Sequence, residues 1–179
     1  MEAAGYFTWT QERDRREVYQ AGVMASDITA HMARERQDTM SAATLRTLIV
    51  VVLLAHGIGH VLGILPAFGR RLSQTHSSQS WLLTSIMGDS FTSGLGIVLW
   101  SAGLVWFAAA AMGLAGWLLP YQWWERFAVT GALVSLLTLV LFWNGLPFLF
   151  PNKIGAIAVD ITVLASLLWL RWPAAVLSG

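Results

Sequence analysis

Two histidines, His56 and His60, lie four residues apart in a long apolar stretch of the sequence, LRTLIVVVLLAHGIGHVLGILPAF. Because residues four apart share one face of a helix, the two imidazoles would project from the same side, one turn apart. Asp160 lies in a second apolar stretch, IGAIAVDITVL. Ionisable side chains are rare inside membrane spans and usually mark a functional site, so these three residues are the first candidates for chemistry.

Two imidazoles and one carboxylate are compatible with several kinds of site. Together they supply three ligands for a zinc-like metal ion and leave one coordination position open. A single histidine can instead ligate a haem or a chlorophyll-type pigment, hydrogen-bond a quinone, or relay protons. The same residues can also form a purely structural hydrogen-bond network. The motif HGxxH has Gly57 where zinc proteases have glutamate, so it does not predict a protease.

The composition of the chain is that of a membrane protein. Of its 179 residues, 56% are hydrophobic and 12% are charged, against about 45–50% and about 25% in soluble domains. Four apolar stretches are long enough to cross a bilayer as helices, which takes about 20 residues. They lie at about 44–66, 93–119, 124–147 and 154–172. We expect an all-α, four-transmembrane-helix bundle.

These spans place the candidate residues at similar depths. His60 lies about five residues before the end of the first span and Asp160 about six after the start of the fourth, so each is about 8–9 Å from the same, non-cytoplasmic, surface. Asn144, at the end of the third span, lies near that surface too. A buried carboxylate needs a partner, and the histidines are the ionisable residues at its level. The predicted cofactor site therefore has four members: His56, His60, Asp160 and Asn144. The two histidines and the aspartate are also candidate metal ligands.

The N-terminal segment differs in composition from the rest of the chain. Residues 1–39 hold five of the eleven basic residues and seven of the ten acidic ones. Apolar residues recur at helical spacing from Val18 to Met32, which predicts a helix over about 12–37 that lies on the membrane surface or on a partner. A weakly ordered extension and a natural start at Met40 are the alternatives. We expect a polar segment, 1–40, and a transmembrane domain, 41–179.

Basic residues indicate the orientation of the bundle, because cytoplasmic loops carry an excess of arginine and lysine. Five basic residues fall on one side and three on the other. The first group is Arg34, Arg36, Arg46, Arg126 and Arg171, and the second is Arg70, Arg71 and Lys153. This bias predicts that both termini are cytoplasmic and that the chain is a multi-pass protein of the inner (plasma) membrane.

Small and aromatic residues predict how the helices pack and where they meet the interface. Gly59 and Gly63 form a small-xxx-small pair, which would let a neighbouring helix approach the first span closely. The long loop after the first span contains a short apolar piece, WLLTSIM, in which Trp81 would anchor a re-entrant or interfacial helix. The turn around Pro120 is short, so the second and third spans should be antiparallel neighbours.

Three segments, AHGIGHVLGILPAFG, QWWERFAVTGALVSLLTLVLFWN and PNKIGAIAVDITVL, resemble a family of small bacterial four-helix integral membrane proteins of uncharacterised function. The resemblance covers about residues 44–172, and its most specific part is the HGxxHxxG motif that runs from His56 to Gly63. It implies the same fold and topology, and it implies no activity.

Two functions remain compatible with the sequence. The leading interpretation is a non-enzymatic structural or accessory subunit of a larger membrane complex, with lipid and other membrane-protein subunits as partners. The alternative is a protein that binds a metal, haem, pigment or quinone, or conducts protons, through its His/His/Asp cluster. The chain has no cysteine and no long basic run, which excludes thiol chemistry and a nucleic-acid surface.

Overall fold

The structure is a computed structural model that describes residues 19–20, 24, 27–29, 31–32 and 42–172. Its helices, in chain order, are α1 (Ala42–Phe68), α2 (Thr84–Met87), α3 (Asp89–Ala115), α4 (Tyr121–Leu141) and α5 (Leu149–Trp169). All except α2 are long and apolar enough to cross a membrane. The described residues contain no strand, so the expected all-α four-helix architecture is confirmed.

The chain divides into two compact units, Met1–Thr44 and Leu45–Gly179. In the first unit the described residues are helical, and the apolar side chains of Ile28 and Met32 are exposed. The other residues of the helix predicted over 12–37 lie outside the described part of the chain. Its docking on a membrane or a partner stays a prediction.

The helix ends differ from the predicted ones where glycines and turns intervene. Two glycines with positive φ, Gly88 (79°) and Gly116 (69°), bracket α3, so this helix begins before residue 93 and ends before residue 119. Gly116 is a left-handed C-cap whose N–H bonds to the carbonyl of Gly113. The regular part of α4 ends at Leu141, well before residue 147, because Phe142 leaves the helical conformation.

Helices α3 and α4 pack against each other and run antiparallel, as expected from their short connection. Gly113 at the end of α3 lies against Trp124 at the start of α4, and Gly96 lies against Phe142 at the opposite end. The larger apolar core joins α1, α3 and α4 around Phe107, and a smaller core surrounds Trp100. The two histidines of α1 lie between these cores, since their rings contact both aromatic residues.

His76 holds the long loop between α1 and α3 against the bundle. Its side chain is fully buried, and its Nδ1 accepts a hydrogen bond of 3.1 Å from the N–H of Leu72. Its Nε2 therefore carries the hydrogen and donates it to the carbonyls of Leu62, at 3.0 Å, and Gly145, at 3.1 Å. One imidazole thus joins the loop, the end of α1 and the turn after α4.

Replacing His76 with alanine should loosen this loop without unfolding the bundle. Three backbone groups lose their partner, and each buried unpaired group costs about 1–3 kcal/mol unless water reaches it, as it can in a loop. We expect limited trypsin digestion at Arg70 and Arg71 to become about tenfold faster, in line with local opening. Gln74→Ala, an exposed change in the same loop, is the control, and equal digestion rates for both variants would contradict this role of His76.

Candidate functional site

A hydrogen-bonded network joins α1, α4 and α5 near the middle of the bundle. The ring Nε2 of His56 lies 2.9 Å from Asp160 Oδ1. The hydroxyl of Ser135 donates to the other carboxylate oxygen, Oδ2, at 2.6 Å. Asp160 and Ser135 are fully buried, and 8% of the His56 side chain is exposed. Both carboxylate oxygens of Asp160 are thereby satisfied, which is what a buried carboxylate requires.

The second histidine of α1, His60, is buried, and only one of its two ring nitrogens has a hydrogen-bond partner among the described residues. Its Nδ1 lies 3.0 Å from the backbone carbonyl of His56, which can only accept, so Nδ1 carries the hydrogen. In the neutral ring Nε2 is then an acceptor with a free lone pair. This Nε2 is buried and has no hydrogen-bond partner among the described residues. A buried polar atom without a partner is uncommon in folded proteins and calls for an explanation.

Aromatic rings and a glycine hold the His60 ring in place. Its centroid lies 5.5 Å from the Trp100 ring, 5.7 Å from the Phe107 ring and 5.1 Å from the His56 ring. On the α3 side it packs directly on Gly103, where a Cβ atom would overlap the imidazole. A Cβ at Gly103 would lie 2.6 Å from Nε2 itself, so this nitrogen faces α3 and the ring must move before another group can reach it.

The two histidines line a groove between α1 and α5. The cavity measures about 340 Å³, and its lining includes His56, His60, Trp100 and Ser135. Exposed side chains of Val52 and Pro151 also line it, so it opens on the outer surface of the bundle. In a membrane-spanning bundle this outer surface faces lipid, and the groove is therefore accessible from the bilayer.

The structure brings together three of the four residues predicted for the site. His56, His60 and Asp160 form one cluster, and His56 is the histidine that contacts the carboxylate. Asn144 does not belong to it: the residue is exposed in the turn Trp143–Gly145 after α4 and does not line the groove. The prediction placed it in a helix that continued to residue 147, and α4 ends before it.

Ser135 is a site residue that the sequence analysis did not select. Serine and threonine in apolar helices often bond to their own helix backbone, as Thr138 does here, with its hydroxyl 2.6 Å from the carbonyl of Val134. Nothing in the sequence distinguishes the two hydroxyls. Ser135 could have been predicted from Asp160, because a buried carboxylate needs a hydrogen-bond donor for each of its two oxygens.

The structure gives no support to the metal site predicted for His56, His60 and Asp160. Among the described residues, no group of three or more histidine and acidic side chains is arranged to hold a metal ion. The bond between His56 Nε2 and Asp160 already uses one nitrogen and one oxygen of the predicted set. The Nε2 of His60 is left without a hydrogen-bond partner among the described residues.

Comparisons with known proteins found no relative for this chain. No protein-family model, no curated protein and no solved structure matches it. Functional inference therefore rests on the groove and its residues.

Proposed function

We propose that this chain is a multi-pass membrane protein that binds a small, lipid-soluble ligand in the groove between α1 and α5. The observation that carries the proposal is the unpartnered Nε2 of His60, a residue whose ring lines a cavity of about 340 Å³. A hydroxyl group of a ligand would donate to this nitrogen once the His60 ring moves so that Nε2 turns from α3 toward the groove, and this bond would remove the cost of leaving the nitrogen unpaired. The apolar walls suit a compact ring or chain that arrives from the bilayer.

The His56, Asp160 and Ser135 network would set the shape of this site. It fixes His56 on α1 relative to α5, and α1 and α5 are the two walls of the groove. In this interpretation the contact between His56 and Asp160 positions the site and His60 makes the polar contact with the ligand. Among the cofactors considered for the cluster, a quinol-type molecule fits best, because it combines a donor hydroxyl with an apolar ring.

A ring with two hydroxyls, tetramethylhydroquinone, tests the proposal directly. Its equilibrium binding to the purified protein in lipid nanodiscs should weaken about tenfold in His60→Phe, which keeps an aromatic ring and removes the acceptor. Asn144→Ala should bind as the wild type does, since Asn144 lies outside the groove. The dimethyl ether of the probe, which has no donor hydroxyl, should bind weakly to both. Equal affinities for His60→Phe and wild type would overturn the role of His60.

A structural or accessory subunit of a membrane complex is the second candidate function. It is favoured by the completely satisfied bonds of Asp160, which would serve equally well to join three helices. Purification from native membranes distinguishes the two proposals. Stable copurifying subunits and an organic extract free of small ligands would favour the accessory role. An absorption spectrum of the same sample tests for haem or pigment.

We propose that the chain lies in the inner (plasma) membrane with both of its termini on the cytoplasmic side. At one end of the bundle Arg46 lies over the Tyr121 ring, at 5.5 Å from its centroid, and Arg126 lies over the Trp123 ring, at 5.8 Å. The aromatic rings are typical of either membrane interface, and the exposed arginines favour the cytoplasmic one. Lys153, assigned to the opposite side, is buried and lies 4.9 Å from the centre of the Trp143 ring.

A further inference from the structure

A second cavity lies further along the same two helices. It measures about 180 Å³ and is bounded by α1, α4 and α5. Its walls are apolar side chains such as Leu48, Leu53 and Leu167, with Ser166 and Thr162 of α5 at the edge. The Thr162 hydroxyl is already used in a 2.7 Å bond to the carbonyl of Ala158. This cavity therefore offers shape and apolar surface and little hydrogen bonding.

The two cavities are adjacent, because Val52 lines both of them. The groove at His60 lies toward one end of α1 and the apolar cavity at Leu48 lies toward the other. The stretch of helix between His60 and Leu48 is about 18 Å long at the α-helical rise. A polar acceptor at one end and apolar walls along the rest match the polarity of an amphiphile.

We propose that the ligand is a long-chain amphiphile whose hydroxyl-bearing head lies at His60 and whose apolar tail runs past Val52 into the second cavity. This inference rests on the proposed function, since it uses the same head site. The tail gains affinity by leaving water or loosely packed lipid for a fitted apolar cavity. Both a prenylated hydroquinone and a lipid alcohol have this chemistry.

Two probes with the same ring separate the head site from the tail site. Tetramethylhydroquinone reports on the head alone, and trimethylhydroquinone carrying a decyl chain reports on head and tail together. Ser166→Phe fills the apolar cavity and leaves the groove at His60 unchanged. Leu168→Phe places the same ring on the exposed face of α5, outside both cavities, and is the matched control. Thr162→Phe is a second filling variant, in case the first does not fold.

We expect Ser166→Phe to weaken binding of the decyl probe about tenfold in nanodiscs, and to leave tetramethylhydroquinone binding unchanged. Leu168→Phe should change neither affinity. Decyl alcohol that competes as well as the decyl hydroquinone would assign the head to a lipid alcohol, and weaker competition would assign an aromatic head; both results retain the tail site.

Unchanged affinity for the decyl probe in folded Ser166→Phe and Thr162→Phe would overturn the tail site and leave the head site in place. Failure of the proposed function gives a different result from failure of the tail site alone. If neither probe binds to the wild type, the proposed function itself is wrong.

Discussion

Replacing Asp160 with alanine is expected to destabilise the bundle by about 2–4 kcal/mol. This range lies between the larger cost of removing one member of a buried ion pair in a soluble protein and the smaller contribution of an interhelical hydrogen bond in a membrane. The carboxylate accepts from Ser135 at 2.6 Å and contacts His56 at 2.9 Å, so its removal leaves two buried polar groups without a partner. It also removes the volume of a fully buried side chain. Equilibrium unfolding in mixed micelles with increasing sodium dodecyl sulfate measures the change.

The control for this experiment is the loss of a carboxylate that is not buried. Asp89→Ala removes an exposed acid in the first turn of α3, where its interaction with the helix dipole contributes about 0.3–1 kcal/mol. Asp160→Asn keeps the volume and one acceptor oxygen and should fall between the two. If Asp160→Ala and Asp89→Ala unfold at the same detergent fraction, the network does not contribute to stability.

A double variant separates the stabilising role of the pair from its role in the site. Replacement of a whole buried ion pair by apolar residues of similar volume is often neutral, whereas removal of one member is costly. His56→Leu combined with Asp160→Leu should therefore recover part of the stability that either single change loses. The two leucines also change the walls of the groove. Hydroquinone binding should therefore be weaker in the double variant than in the wild type, even where stability is recovered.

The pairing of the cluster could be predicted from the sequence, because a buried carboxylate in an apolar helix requires a partner and few were available. The sequence could not predict which side chain bonds to each oxygen of Asp160. Whether His56 or His60 contacts Asp160 depends on the axial position of α1 relative to α5, because the two histidines share one helix face and lie one turn apart. The loss of Asn144 from the site follows from the early end of α4 at Leu141, which no proline or glycine at that position signals.

His76 illustrates the opposite case, a residue with no sequence signal at all. It lies in a polar loop among serines and glutamines, where an exposed histidine is the ordinary expectation. Its burial results from contacts with the carbonyls of Leu62 and Gly145, which are far apart in the sequence. Only the folded bundle brings those carbonyls together.

The largest packing effect is expected at Gly63, which the sequence could not separate from Gly59. A Cβ atom at Gly63 would overlap the ring of Trp100 on α3, whereas a Cβ at Gly59 would meet nothing within 4 Å. Gly63→Ala should therefore destabilise the bundle by about 1–3 kcal/mol, the usual cost of overpacking. Gly59→Ala should be neutral or stabilising by up to about 1 kcal/mol, from the higher helix propensity of alanine.

A second substitution tests whether the Trp100 ring is the cause. Trp100 is almost fully buried and also packs against Gly145, which limits how far its ring can retreat from a methyl group at Gly63. A smaller ring relieves the overlap, so Trp100→Phe should cost less in the Gly63→Ala background than in the wild type. Unfolding in detergent measures the free energy of unfolding of the wild type, the two single variants and the double variant, which together form a double-mutant cycle. Strictly additive changes would show that α1 and α3 do not meet at this point, and the position of His60 beside Trp100 would then be wrong as well.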